Sequence, residues 1–449
     1  MTPDHPTDDV LATYVTAPDT LPGREEVEEH LRFCSACGEI VAAARQFEAH
    51  VDNAETWDAM AIARLSTSMP AALRELAGTM SADDAAADYL LEPLLTDYST
   101  FVNERITQDD RYYTCGVVRR LVRASEALRE EYPRFALALA ETAVVIAAQL
   151  PVARYTNEEL LAAQGAAWRE RANMLRYTGD YLNALAAIDR AERAFRQTPL
   201  PTFDLARIDY VRATILWKME RFAEALPLAR SSRAIFLEFG ETERWIHAGL
   251  LEGGILFDTH QYEQARAVFD ALLGPAEALD LGATLGLVYN AIAATLQELH
   301  EYPTAATFFH KALALYDHYH MTVERTRTAW SLALLALAQG HRAAGKERLR
   351  AAMNAFTGQG NISDAGLVAL DLAEHLLADG EITEALAVCD QLSARFASAG
   401  MQERASAALR FLQEAIKRGR PVPLHVVRAY FARLAKEPTL LFVAPDDAR

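Results

Sequence analysis

The chain has 449 residues, 51% of them hydrophobic and 24% charged, with 21 glycines, 17 prolines and a net charge of −18. That excludes a disordered or fibrous chain, and the acidic balance argues against a phosphate-binding protein, whose affinity would come from clustered Lys and Arg. So long a chain cannot close around one core, so it implies about three domains or a repeat array.

The acidic charge sits at one end. From Met1 to Cys115 there are 22 Asp and Glu against 7 Arg and no Lys, so the other 334 residues carry a net charge of only −3. Such a module repels nucleic acid and attracts a basic protein surface. The longest apolar runs, such as Ala143 to Leu150, fall short of the roughly 18 to 20 residues that cross a bilayer, and the opening MTPDHPTDDV has no basic signal region. The expectation is a soluble, cytoplasmic protein. Four cysteines in this length make no disulfide framework, and the spacing of Cys34 and Cys37 points to metal or redox chemistry in a reducing compartment.

Residues 1–50 carry that chemistry. The segment EEVEEHLRFCSAC reads as an acidic helix ending in His30-x3-Cys34-x2-Cys37. On a helix His30 and Cys34 stand at i and i+4, and Cys37 three further on returns to the same face. An imidazole with two thiolates suits Zn2+, which needs a fourth ligand to close a tetrahedral structural site. His5 is the candidate, with His50 or Asp8 as substitutes. It precedes a predicted helix from Asp8 to Val15, whose Leu11 and Tyr14 can pack against Val27 and Leu31. A thioredoxin-like role for Cys34 and Cys37 would need an α/β unit, and no strand-rich segment occurs. Thiolates are the oxidisable form of cysteine, so redox release of the metal is a separate expectation.

On these residues the segment resembles the zinc-binding anti-sigma domain of many bacterial regulators of extracytoplasmic-function sigma factors. That family shows a His, a short helix with Leu-x-x-Tyr, an acidic helix ending His-Leu-x-x-Cys-x-x-Cys, and a further helix. Here these are His5, Leu11-Ala-Thr-Tyr14, EEVEEHLRFCSAC and the predicted helix Glu39 to Ala49, within about Met1 to His50. The resemblance implies zinc held by His5, His30, Cys34 and Cys37, and a helical domain that covers the polymerase-binding surface of a sigma factor. In some members cysteine oxidation expels zinc and frees the sigma factor. Many members continue into a transmembrane helix and this sequence does not, so a signal would be cytoplasmic or arrive through the rest of the chain.

Residues 51–130 read as an acidic helical connector without repetition, with Pro70 and Ser81, the latter followed by Asp83 and Asp84, as helix starts. Residues 131–400 repeat. An aromatic or bulky residue three positions before a small one recurs as Tyr181/Ala184, Phe222/Ala225, Tyr262/Ala265, Tyr302/Ala305, Arg342/Gly345 and Ile382/Ala385, so the small positions are 41, 40, 40, 40 and 40 residues apart. Each unit reads as two helices; in one, Trp245 to Asp258 is followed by a turn at Thr259 to Gln261 and by a helix with Tyr262, Ala265, Phe269 and Leu272 on one face. The small residue lets neighbouring helices approach closely while the aromatic fills the groove beside it. Phe135, Ala138 and Thr142 look like a degenerate first copy. The pattern resembles the tetratricopeptide repeat (TPR), whose motif shows as Trp168, Leu175, Gly179, Tyr181, Ala184 and Ala191, over about Arg134 to Gly400. Its period exceeds the usual one of about 34 residues, which lengthens the helix pair by roughly 9 Å in total. Residues 401–449 supply two more helices, Ala405 to Lys417 and Leu424 to Leu434, expected to cap the array.

Other features read as structural. Cys115 and Cys389 are expected to be inert, Cys389 as a buried core residue. Gly340-His-Arg-Ala-Ala-Gly345-Lys346 imitates a phosphate-binding loop, but Glu347 replaces the required Ser or Thr and no strand precedes it. Tyr316, His318, Tyr319 and His320 suggest a second metal site, but residues two apart point to different helix faces, so the cluster reads as a polar inter-repeat loop. Trp168, Trp217, Trp245 and Trp330 read as core packing, with a ligand-lined concave groove as the alternative. No catalytic motif or carboxylate pair stands out, and a closed four-ligand zinc leaves no position for water. The sequence therefore reads as an all-α, non-enzymatic regulator: a zinc-stabilised acidic head for a sigma factor, and TPR-like repeats for a peptide, protein or effector. It is expected to touch neither nucleic acid nor membrane. The alternative is a scaffold whose zinc is purely structural.

Overall fold

The computed structural model describes residues 5–6, 10–11, 14–15, 21–34, 37–38, 41–42, 71–96, 106–129, 132–398, 405–418, 424–434 and 440–442. Among them are eighteen α-helices and no strand. In chain order these are α1 (Arg24–Phe33), α2 (Ala71–Thr96), α3 (Cys115–Leu128), α4 (Pro133–Ala147), α5 (Asn157–Tyr177), α6 (Tyr181–Phe195), α7 (Thr202–Lys218), α8 (Phe222–Glu238), α9 (Thr242–Asp258), α10 (Tyr262–Ala278), α11 (Gly282–Glu298), α12 (Tyr302–His318), α13 (Thr322–Ala338), α14 (Arg342–Gly358), α15 (Ile362–Ala378), α16 (Ile382–Ser398), α17 (Ala405–Lys417) and α18 (Leu424–Leu434). The chain divides into two compact units, Met1–Ile255 and Leu256–Arg449.

The 40-residue period resolves into a finer one. From α7 to α16 every helix has 17 residues and starts 20 residues after the one before. Each three-residue turn between them is made by backbone geometry. The middle turn residue has positive φ at Glu220, Gly240, His260, Asp280, His300, His320, Gly340, Gly360 and Gly380. Its N–H bonds back three residues and the next N–H bonds back five, as in Glu220 to Trp217 and Arg221 to Leu216, both at 2.9 Å. That is the Schellman closure, which satisfies the last carbonyls of a helix and reverses the chain in three residues. The same closure ends α5 at Gly179, and the other end of α5 is held by side chains: Thr156 and Glu159 form a reciprocal capping box there.

The small positions are where the helices meet. Ala184, Ala225, Ala265, Ala305 and Ala385 are fully buried, and a β-carbon added at Gly345 would overlap the Leu337 side chain. Each begins an apolar stripe at helical spacing, such as Ala265, Phe269, Leu272 and Ala276 on α10 or Ala305, Phe309, Ala312 and Tyr316 on α12. Within each unit these stripes pack consecutive helices together: α5 on α6 and α7 on α8 in the first, α11 on α12 and α13 on α14 in the second. The fold is all-α, with TPR-like helix pairs stacked at a 40-residue period.

At the start of the array, α2 and α3 share a core with α4 and α5, through Leu91, Val118, Leu121, Leu139 and Ile146. Ser81 is not a helix start, because α2 runs unbroken through it. Two residues on, Asp83 is buried, accepts a 2.6 Å hydrogen bond from Tyr155 and pairs with Arg154. The acidic signal read as a cap is instead a buried tie to the loop before α5. Pro70 lies outside the described residues. At the other end α18 packs on α15, and Ser363 donates to the Phe431 carbonyl at 2.7 Å.

Tyr316 is not in a polar loop. It closes the apolar stripe of α12 at 1% exposure, while His318, Tyr319 and His320 are exposed at the helix end. Trp168, Trp217, Trp245 and Trp330 are half-buried against core clusters, and Trp330 donates to Asp371 at 2.7 Å. Cys115 and Cys389 are buried, and burial pushes both thiols up to about 12.

Candidate metal centre

The candidate metal-ligand residues are held by a small core of their own. Leu11, Val15, Val27, Cys37 and Val41 are buried together, with Tyr14 and Leu31 packed against them. This is the predicted pairing of the two helices, and the described residues 10, 11, 14 and 15 of the first are helical. Helix α1 opens on Gly23 in the left-handed region, carries Glu25 and Glu26 in its first turn and is tied by a 2.7 Å Arg24–Glu28 pair. Acidic groups at the start of a helix oppose its dipole favourably.

The ligand spacing works differently from a single helix face. Helix α1 stops at Phe33, and Cys34 follows with extended backbone, its N–H still bonded to the His30 carbonyl at 3.0 Å. The Cys34 carbonyl then accepts from Gly38 at 3.0 Å, so a new helical turn starts there and carries Cys37 inward. The break lets both thiols face one point. Of the predicted following helix, residues 41 and 42 are described and helical.

His5 completes the group. One ligand atom from each of His5, His30, Cys34 and Cys37 lies within 4.8 Å of every other. His5 Nδ1 is 3.3 Å from Cys37 Sγ and 3.5 Å from Cys34 Sγ, and the two imidazoles meet edge to face at 5.3 Å. A tetrahedral zinc with ordinary Zn–N and Zn–S bonds would set nitrogen and sulfur about 3.6 Å apart. His30 Nε2 is buried without a hydrogen-bond partner, a costly state for an imidazole nitrogen unless something is coordinated there. The donor set and its spacing fit a zinc ion. Asp8 and His50, the substitutes for the fourth position, lie outside the described residues.

Beside this centre, Glu25, Glu26 and Glu29 are exposed, and Phe33 is 86% exposed. The acidic face predicted from composition is therefore present on α1, with an aromatic at its end. The sequence reading did not single out Phe33, whose i+3 relation to His30 gave no metal signal.

No family model matches the sequence, and no curated protein does. Solved structures do. The chain is similar to a signal-transduction ATPase with numerous domains and a tetratricopeptide repeat sensor from Pyrococcus horikoshii, at 12% identity and a TM-score of 0.48, covering 97% of this chain and 72% of that one. It is also similar to the Rap conjugation gene regulator of plasmid pLS20 in complex with the Phr* peptide, at 13% identity and a TM-score of 0.45, covering 75% and 96%. A third is a Rap protein complexed with competence and sporulation factor, at 14% identity and a TM-score of 0.44, covering 73% and 100%. Among the described residues no helix is long and apolar enough to cross a membrane.

Proposed function

We propose that this protein is a zinc-stabilised binding regulator, whose head holds a sigma factor and whose repeats carry a ligand that adjusts that grip. The observation that carries it is the convergence of His5, His30, Cys34 and Cys37, because it joins two short helices that bury too little apolar surface to stand alone. His5 and His30 would supply imidazole nitrogens, and Cys34 and Cys37 would supply thiolates. The ion would act as a structural staple, since four protein ligands close its coordination shell.

The staple presents an acidic surface. With the head fixed, Glu25, Glu26 and Glu29 and the aromatic Phe33 share one exposed helix, suited to a basic protein surface with an apolar contact. The resemblance to anti-sigma domains makes a sigma factor the partner to test. The repeats are read as the sensor because stacked helix pairs offer grooves between successive units. We read the chain as a binding protein, not an enzyme, acting in the cytoplasm without contacting nucleic acid.

A second reading has its own support. Cys37 is 3% exposed inside the head core, the position of a structural ligand, and it suits a scaffold whose zinc serves only folding. One experiment separates the two. Purified full-length protein, with zinc content measured, is mixed with extracytoplasmic-function sigma factors of the source genome and run by size exclusion. Co-elution that Phe33→Ala weakens and Cys34→Ser abolishes supports the regulator. Failure of every such sigma factor to bind zinc-loaded protein overturns it in favour of the scaffold.

A further inference from the structure

The last helix does not continue the pairing of consecutive helices. In the second unit α18 packs on α15, past α16 and α17 in the chain, more extensively than on its chain neighbour α17. Its seat is the side of α15 that carries Ser363, Gly366, Asp371 and Glu374. Gly366 makes a slot: a β-carbon there would come within 2.4 Å of the Phe431 ring, so a side chain would displace the aromatic. Ser363 bonds the Phe431 carbonyl, one of the last carbonyls of α18, which the helix itself cannot pair. Further along α15, Arg428 reaches Asp371 at 2.6 Å and Glu374 at 3.1 Å, so the two helices run antiparallel. Trp330 of α13 holds the other Asp371 oxygen at 2.7 Å.

These contacts have the make-up of a helix bound in a groove. Val427, Phe431 and Leu434, at i, i+4 and i+7, are at most 3% exposed, and a cation beside them is clamped by two carboxylates. Burial raises the Asp371 carboxyl above its ordinary value, against Arg428, which lowers it. A helix that takes this seat must bring a cation of its own, because an unpaired carboxylate there is costly. The seat also stands without its occupant: α15 packs on both α14 and α16, and α17 packs on α16.

We infer that this side of α15 is a helix-binding site of which α18 is the resident occupant, and that the partner of the repeats is a protein with an amphipathic helix of the same pattern, an Arg, an aromatic three residues on and a Leu three further, which takes the seat in place of α18. The tether gives α18 an effective concentration on the order of 1 mM, which makes it a standing competitor that only a tighter helix displaces. The inference rests on reading the repeats as the ligand-carrying module; sigma binding is measured on the head, so either can fail alone.

The test uses full-length protein and a labelled peptide of residues 421–436, which carries the α18 sequence, read by fluorescence anisotropy. Wild-type protein, its seat filled, should bind the peptide weakly. Phe431→Ala protein, whose own α18 is loosened, should bind it at least about tenfold more tightly. The peptide with Arg428→Ala, or the Phe431→Ala protein with Asp371→Asn added, should lose about tenfold in affinity. Hydrogen exchange on the wild type needs no variant: excess peptide should speed exchange at the α18 amides of the protein and leave α15 protected. Failure of folded Phe431→Ala protein to bind the peptide up to about 1 mM overturns the site. So does a wild type in which α18 and α15 exchange only together and are indifferent to the peptide. A wild-type dimer on size exclusion that Phe431→Ala converts to monomer would assign the seat to α18 of a second copy and overturn the foreign partner.

Discussion

The hydroxyl of Ser125 lies 3.0 Å from Glu170 Oε1 and 2.9 Å from the carbonyl of Ala136, so it faces two oxygens with one proton. Its proton can go to either, and donated to Glu170 it favours the ionised carboxylate and lowers its pKa. Burial, with Glu126 nearby, outweighs that bond and pushes the carboxyl up to about 8, so Glu170 is largely protonated near neutral pH. A folded-state value raised from 4.5 to about 8 means that the native state holds the proton more tightly than the unfolded chain. This group's contribution is then fully present below about 4.5 and is lost as pH climbs toward about 8. Glu170→Gln keeps a donor for Ser125 and cannot ionise. Denaturant unfolding should find it more stable than wild type at pH 8 and above by a few kcal/mol, on the order set by the shift, with the two converging near pH 5. Parallel pH curves for the two proteins would contradict this.

The repeat period was legible because it rests on side-chain size. Ala184, Ala225, Ala265, Ala305 and Ala385 are buried where helices touch, and a larger residue there would separate them, so the pattern survives in the sequence. The underlying 20-residue step was not legible, because the left-handed turn position is filled by Gly in some copies and by His, Asp or Glu in others. Those residues share a backbone angle and no side-chain property. The cluster of His5, His30, Cys34 and Cys37 could be read from donor type, spacing and the family resemblance, but the break at Cys34 could not, since it follows from where α1 stops.

The left-handed turn residues yield the next expectation. His320 has φ 55° where Gly340, one turn later, has φ 83°. A β-carbon in that conformation costs about 1 to 2 kcal/mol, part of which glycine returns through its greater freedom in the unfolded chain. His320→Gly should stabilise the protein by roughly 0.5 to 1 kcal/mol, and Gly340→Ala should destabilise it by about 1 kcal/mol. Chemical denaturation of both variants checks the pair, and a His320→Gly protein weaker than wild type would show that the imidazole contributes more than the backbone loses.

Overpacking tests the close approach of the helices. Ala305 is fully buried at the start of the α12 stripe, with Phe309 further along it. Ala305→Leu must push α12 away from the helices it packs on, at a cost of roughly 1 to 3 kcal/mol, whereas Ala305→Gly should cost no more than about 1 kcal/mol, the ordinary penalty of glycine in a helix. Equal losses from the two would mean that the position has room to spare.

The four cysteines should separate by environment. Cys115 and Cys389 are 3% and 1% exposed, and burial holds both thiols near 12, so neither presents a thiolate at neutral pH. Cys34 and Cys37 stand with His5 and His30 in a group of donors that could hold a metal ion. Zinc-loaded native protein should therefore give almost no reaction with a thiol reagent, chelator-treated native protein should react at two thiols, and denatured protein at all four. Released zinc, counted by a chromogenic chelator, should equal one ion per chain and vanish in Cys37→Ser and His30→Ala. Helix content by circular dichroism should fall only slightly on chelation, because α2 to α18 bury their stripes without the metal. Two reactive thiols in the zinc-loaded protein would show that the sulfurs of Cys34 and Cys37 are not ligands. A large loss of helix on chelation would instead mean that the head and the helices after it fold as one cooperative unit.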